Sequence, residues 1–409
     1  MNIGFLGLGK LGLPCALAIE SKGHSVIGYD ISKNVQEIVK KKKLPYKEVG
    51  AQELLDKSNI KITPLSSVVR HSEIIFVSIQ TPHEKLYEGI TRIPEDRIDF
   101  NYEWLKRGIK TLSDEIEKQA VNKVVVLIST VLPGTIEREI KPLLNSHVQF
   151  CYNPFFIAMG TTIKDFLNPE FVLFGVDNEF AAKKAEFLYK TIHTKPFFKT
   201  TIENAELIKV AYNTFIGMKI VYANTMMEIC HKTGANIDNV TDAIKFATDR
   251  LISDKYLSGG MGDGGGCHPR DNIALSWLAR ELNLSHDFFE DMMLAREHQT
   301  EWLADLIQEK SKGLKVFILG KSFKPETNIQ TGSPSILLRN ILEEREINVT
   351  MYDPYIDADS DKPNDKGVYF IGTKHQNFID YDFPHGSIVI DPWRYISNKD
   401  NIEVIRIGE

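Results

Sequence analysis

The residues best suited to chemistry lie in the segment Gly259 to Asp271, GGMGDGGGCHPRD. Its glycines leave the backbone around Cys267 unobstructed, so a bulky ligand can approach the sulfur and backbone amides can turn toward developing charge. His268 and Arg270 stand beside the thiol, and cationic neighbours favour the nucleophilic thiolate. The combination suits covalent catalysis by sulfur. The other cysteines, Cys15, Cys151 and Cys230, sit in apolar contexts that read as inert packing. No CxxC pair points to a disulfide framework or structural zinc, and one Cys with one His makes a poor metal site, so no metal is expected.

A second group opens the chain. Gly7, Gly9 and Gly12 form G-x-G-x-x-G directly after an apolar strand and at the start of a helix. The first glycine permits the tight turn, the second lets a pyrophosphate approach the backbone, and the third lets helix and strand pack closely. The next strand, SVIGY, ends at Asp30, where a carboxylate accepts bonds from ribose hydroxyls and repels a 2′-phosphate. The expected cofactor is therefore NAD, a preference that nearby Lys33 tempers slightly. Ser78 to Pro82 (SIQTP, with Thr81) and Ser129 to Thr135 (STVLPGT, with Thr130) follow further apolar strands. They fall at the carboxyl edge of the sheet, where their hydroxyls can face the nicotinamide and the reacting carbon.

The elements that must position these groups follow from the pattern. Met1 to Leu6, Ser25 to Tyr29, Ile74 to Ile79 and Lys123 to Ile128 read as buried parallel strands, and Leu11 to Lys22 as a helix. From Glu203 to His231 apolar residues recur at three and four spacing, which predicts one long helix able to join domains or pack on a second subunit. From Leu314 the alternation returns: strand LKVFILG, helix Ser335 to Glu344, strand NVTMYDP. That second α/β region lacks a GxGxxG turn, so no second dinucleotide is expected there. The predicted class is α/β: two Rossmann-like doubly wound parallel-sheet domains joined by a long central helix and a helical middle domain. The expected divisions are 1–195, 196–310 and 311–409.

Composition narrows the function classes. Lys and Arg number 49 against 55 Asp and Glu, a formal net charge of −6, so no broad positive field awaits nucleic acid or anionic lipid. The start, MNIGFLGLGK, lacks the layout of a signal peptide, and no apolar run approaches the ~18 residues of a membrane span. A soluble, cytoplasmic protein is expected, with neither nucleic acid nor membrane as partner. Lys40 to Lys43 read as a solvated helix end whose cations complement the dipole.

GLGKLGLP at the start, STVLPGT, Glu206 to Asn213 (ELIKVAYN), the glycine-cysteine stretch with Asp271, and Leu319 to Lys324 (LGKSFK) together resemble the UDP-glucose/GDP-mannose dehydrogenase family over nearly the whole chain. The resemblance implies a homodimer built on the long helix and two NAD-dependent oxidations of a nucleotide sugar at C6, a UDP-sugar foremost. It implies that Cys267 attacks the aldehyde to form a thiohemiacetal, which a second oxidation converts to a thioester. Lys209 and Asn213, four apart on one helix face, match the pair that contacts the reacting oxygen. Asp271 and Thr130 match residues that orient the hydrolytic water and assist proton transfer. Phe323 and Lys324, with Gly264, match substrate contacts. Arg250 resembles the arginine reaching into the neighbouring subunit's site, Arg394 one near the cofactor, and Leu11 joins the cofactor turn.

The pattern breaks in one segment. Where the family carries NPEFLxEG, this chain reads Asn153 to Gly160, NPFFIAMG, with Phe155 and Met159 in place of both glutamates. Thr331 stands in the region of the family's arginine after the Phe-Lys pair, and the loop from Thr81 to Asp99 is longer than usual. Two other functions remain open at this point: a two-electron alcohol dehydrogenase of the 6-phosphogluconate-dehydrogenase type, which needs no thiol, and a non-catalytic protein that binds NAD and a nucleotide sugar.

Overall fold

Apolar runs without alternation form strands buried on both faces, as parallel sheets covered by helices require. The computed structural model describes residues 1–248, 256, 258–284 and 286–409. The first of two units comprises Met1–Pro82 and Phe100–Ala211. It contains β1 (Asn2–Leu6), β2 (Ser25–Tyr29), β3 (Lys61–Ile62), β4 (Ile74–Val77), β5 (Lys123–Leu127), β6 (Val148–Tyr152), β7 (Val172–Gly175) and β8 (Phe197–Thr200). Their order in the sheet is β3-β2-β1-β4-β5-β6-β7-β8, parallel except between β6 and β7. Chain order reverses between β1 and β4, so the crevice at their carboxyl ends is the place such a sheet offers a ligand. Beneath it Phe5 and Phe76 stack at 5.3 Å between centroids, deep in the core.

The long helix forms as its apolar period predicts, over Ile202–Thr233. Residues 202–211 belong to the first unit and the remainder to the second, which comprises His83–Asp99 and Tyr212–Glu409. The second unit carries a five-stranded sheet of β9 (Lys315–Leu319), β10 (Val349–Tyr352), β11 (Gly367–Ile371), β12 (Ile388–Asp391) and β13 (Glu403–Arg406). Its order is β10-β9-β11-β12-β13, all parallel. Sequence pattern alone separates a helical middle from this sheet. In the structure Met227 and Ile237 from the middle share one buried cluster with Val316, Leu337 and Phe370, so the two segments fold around a common core. Among the described residues no helix is long and apolar enough to cross a membrane.

Candidate active site

The glycine turn of the first unit has the geometry its spacing predicts. Gly7 adopts φ 95°, a left-handed conformation that favours glycine. A Cβ on Gly12 would lie 2.4 Å from Gly7 O and 2.3 Å from Ser78 Oγ, so helix and strand meet there without room for a side chain. A Cβ on Gly9 would meet nothing within 4 Å, which leaves backbone exposed where a pyrophosphate needs it. Leu11 caps the Gly12–Glu20 helix. Asp30, at the end of β2, accepts from Leu8 N at 2.7 Å and Ser32 N at 2.8 Å. Each oxygen holds a further lone pair for a ribose hydroxyl. Lys33 is exposed at the start of the following helix. These residues fit NAD.

The strand ends beside the turn are tied together. Ser78 Oγ donates to Gly7 O at 2.6 Å, and Thr81 Oγ1, buried, donates to Thr130 O at 2.7 Å. The loop after β5 is fixed by the long helix: Gly134 N and Ile136 N donate to Glu206 Oε2 and Oε1 at 2.7 and 2.8 Å. Burial pushes the Glu206 carboxyl up to about 7, against the pull of those two donors. One turn later Lys209 is buried, with Nζ 5.3 Å from the centroid of Phe156.

In the second unit, Cys267 is the N-cap of the His268–Glu281 helix, with φ −118° and ψ −59°. Pro269 suits the first turn because its missing N–H is not needed there. The free amides of that turn give the sulfur's surroundings a partial positive charge. Cys267 is half-buried, whereas Cys15, Cys151 and Cys230 are buried, and burial pushes the thiols of Cys15 and Cys151 up, the latter to about 12. One turn on, Asp271 is wholly buried; its backbone N donates to Cys267 O at 2.8 Å. Its carboxylate accepts from Asn213 Nδ2 at 2.7 Å and from Arg270 Nε and Nη2 at 3.1 and 3.0 Å. Arg270, expected to act on the thiol, thus directs its guanidinium to Asp271.

The long helix reads the cysteine segment along one face. Asn213 meets Asp271, Gly217 makes room for Asp263 and Asn272, and Asn224 accepts from Gly260 N at 3.0 Å while donating to Met261 O at 3.1 Å. A Cβ on Gly217 would stand 3.0 Å from Asp263 Oδ2. The glycines serve close packing as well as access: a Cβ on Gly264 would lie 2.9 Å from Gly332 O, and one on Gly265 2.8 Å from the Phe323 ring. Phe323 and the cysteine segment are therefore neighbours, and Lys324 Nζ lies 5.6 Å from the Phe323 centroid. Asp353, at the end of β10, shapes this corner by accepting from Lys321 N and Ser322 N at 2.8 and 3.0 Å.

Residues 1–193 match the UDP-glucose/GDP-mannose dehydrogenase family's NAD-binding domain and residues 203–296 its central domain. The putative UDP-glucose 6-dehydrogenase YtcA of Bacillus subtilis is 30% identical over 436 residues, covering 98% of this chain and 97% of its own length. The chain belongs to the UDP-glucose/GDP-mannose dehydrogenase family. Its cofactor is NAD. A UDP-glucose dehydrogenase from Pyrobaculum islandicum shares the fold of this family member at a TM-score of 0.85 and 23% identity, over 99% of this chain and 96% of that one. A UDP-D-ManNAc dehydrogenase from Pyrococcus horikoshii does so at 0.82 and 24%, over 100% and 99%.

Arg394, expected near the cofactor, directs Nε and Nη2 to Asp238 at 2.8 and 2.9 Å and Nη2 also to Gly259 O at 3.1 Å. Its buried guanidinium clasps the start of the glycine segment. Arg250 lies outside the described residues. Phe155, where the family has glutamate, packs on Phe166 at 5.5 Å between centroids and leans on the core of the first unit. Sequence reading also missed three residues. Glu206 and Asn224 carry a faint signal, polar side chains on the apolar face of a long helix, while Arg296, described below, carries no local signal at all.

Proposed function

We propose that the protein oxidises the C6 primary alcohol of a nucleotide sugar to the carboxylate in two NAD-dependent steps, through a covalent intermediate on Cys267. The observation that carries this reading is the half-buried Cys267 at a helix N-terminus, one turn before a buried Asp271 held by Asn213 and Arg270. Gly7, Gly9, Leu11, Gly12, Asp30 and Lys33 hold the dinucleotide, with Thr81 and Thr130 at the nicotinamide end. NAD, when bound, accepts the hydride of each oxidation. The chain's own groups do the rest. Lys209 and Asn213 donate to the reacting oxygen as it gains negative charge. The Cys267 sulfur adds to the aldehyde carbon, and the resulting thiohemiacetal oxygen gives up its proton as the second oxidation forms a thioester. Asp271 and Thr130 orient the water that releases the acid and returns the sulfur.

Phe323, Lys324 and Gly264 form the substrate side of the second unit. The names of the relatives, UDP-glucose and UDP-D-ManNAc dehydrogenases, support a UDP-sugar. Arg250 and a homodimer on the long helix complete the reading, which is that of a cytoplasmic enzyme. A second reading, a two-electron alcohol dehydrogenase of the 6-phosphogluconate-dehydrogenase type, is supported by the pairing of Lys209 with Asn213 on one helix but has no use for the Cys267 thiol. Acid-quenching during turnover with UDP-glucose, UDP-N-acetylmannosamine or GDP-mannose, followed by peptide mass spectrometry, separates the two. The proposal expects an acyl adduct on the Cys267 peptide with at least one sugar; free aldehyde with an unmodified Cys267 supports the alternative.

A further inference from the structure

Arg296 lies on the Phe288–Ser311 helix with its side chain 2% exposed. A buried guanidinium persists only where its donors are met, and here they are met by three separate loops. Nε stands 2.9 Å from Asp263 Oδ1 and donates to Asp263 O at 3.0 Å, in the glycine segment before Cys267. Nη1 donates to Gly89 O at 3.0 Å, in segment 83–99. Nη2 donates to Gly332 O at 3.3 Å, in the loop that follows Phe323 and Lys324.

The three loops press together backbone to backbone. Gly332 has φ 63°, and a Cβ there would lie 2.3 Å from Gly265 O. Gly89 has φ 73°, and a Cβ there would lie 2.5 Å from Pro269 Cβ, in the first turn of the cysteine helix. Segment 83–99 is fastened along its length. Arg92 pairs with Glu297 at 3.0 Å and Glu344 at 2.8 Å, and Arg97 pairs with Glu290 at 2.8 Å. The segment leaves the first unit after Pro82 and rejoins it at Phe100, yet folds as part of the second.

We propose that Arg296 is a positioning residue for Cys267. Its guanidinium joins the cysteine segment, segment 83–99 and the loop after Phe323-Lys324 at a shared point, in one register, so that the placement of the sulfur against that loop depends on it. This rests on the reading of Cys267 as nucleophile, but the register itself is readable without turnover. A shift of about 1 Å in such a register costs roughly a hundredfold in rate when chemistry depends on it.

The test compares wild type, Arg296→Lys and Arg92→Gln. It measures site-resolved iodoacetamide alkylation of Cys267, hydrogen exchange of residues 259–266, and kcat and KM separately. Arg296→Lys keeps the charge but loses the fork that reaches three loops. It is expected to change Cys267 alkylation at least fivefold, raise exchange in 259–266, and lower kcat roughly 10- to 100-fold with KM for NAD unchanged. Arg92→Gln, at a partly exposed side chain that pairs with Glu297, Glu301 and Glu344, is expected to move alkylation the same way by a smaller factor. A folded Arg296→Lys with wild-type alkylation and kcat overturns the proposal. Should that variant not fold, wild-type alkylation in Arg92→Gln with raised exchange in segment 83–99 overturns it. Absence of any Cys267 adduct in wild-type turnover, with alkylation still altered in the variants, sinks the nucleophile reading and leaves the positioning role standing.

Discussion

Asn213 Nδ2 donates to Asp271 Oδ2 at 2.7 Å, joining the long helix to the first turn beyond Cys267. That bond fixes Asn213 against the buried carboxylate that the proposed chemistry uses. Replacing Asn213 by Ala leaves a wholly buried carboxylate short of one donor. The expected cost is about 1–3 kcal/mol in the unfolding of the second unit. The expected loss in kcat is about 10²–10³-fold, the usual effect of removing one oxyanion donor. Urea titration and steady-state kinetics check both, and a variant as stable and as fast as wild type would remove Asn213 from the site.

The glycine turn separates packing from ligand approach. Gly12→Ala places a methyl against Gly7 O and Ser78 Oγ and is expected to destabilise the first unit by on the order of 1–3 kcal/mol. Gly9→Val meets open space, so thermal unfolding without cofactor should stay near wild type while NAD affinity falls at least tenfold. Calorimetric titration of NAD on both variants is the check. Equal NAD affinity for Gly9→Val and wild type would mean that the pyrophosphate lies elsewhere.

Glu206 yields a pH dependence of defined sign. Its carboxyl is pushed from 4.5 up to about 7 in the folded chain, so between those values the unfolded chain has lost a proton that the folded chain retains. Stability contributed by this group is therefore full below pH 4.5, declines as pH rises to about 7, and is flat above. Replacing Glu206 by Ala should flatten that part of the profile and free the loop at Gly134. Urea midpoints at several pH values across that interval, wild type against variant, decide it; parallel slopes would contradict the assignment.

Segment 153–160 bears on the last chemical step. With Phe155 and Met159 where the family has glutamates, only Asp271, Thr130 and bound water remain to assist thioester hydrolysis, so that step is expected to be slowest. Rapid mixing with excess NAD and sugar should show a burst of NADH followed by a slower steady rate. Met159→Glu should raise the steady rate relative to the burst. Linear NADH formation from the first turnover would place the slow step before the thioester.

Much of this architecture is legible in the amino-acid sequence because it is written locally. Ser25–Tyr29 as a strand, the 202–233 helix and the Gly7-Gly9-Gly12 turn all follow from period, glycine placement and composition. Strands β6 to β8 are not picked out because their runs are short, with polar residues inside Val148–Tyr152 and Phe197–Thr200, and their pairing is decided by the sheet. The role of Arg296 is illegible for a different reason: its partners are distant in sequence and, apart from the Asp263 carboxylate, are backbone carbonyls of Gly89, Asp263 and Gly332, which any residue type provides. The pairing of Arg394 with Asp238 is illegible for the same reason, since the two are 156 positions apart and meet only in the tertiary fold.

The central claim is that one thiol carries the sugar through both oxidations, and the most direct measurement is the number of NADH formed per nucleotide sugar consumed, taken together with the product's identity. The account predicts two NADH and a uronate for wild type, with Cys267→Ala unable to make the acid. One NADH with an aldehyde as the final product, or two NADH at an undiminished rate from Cys267→Ala, would contradict it.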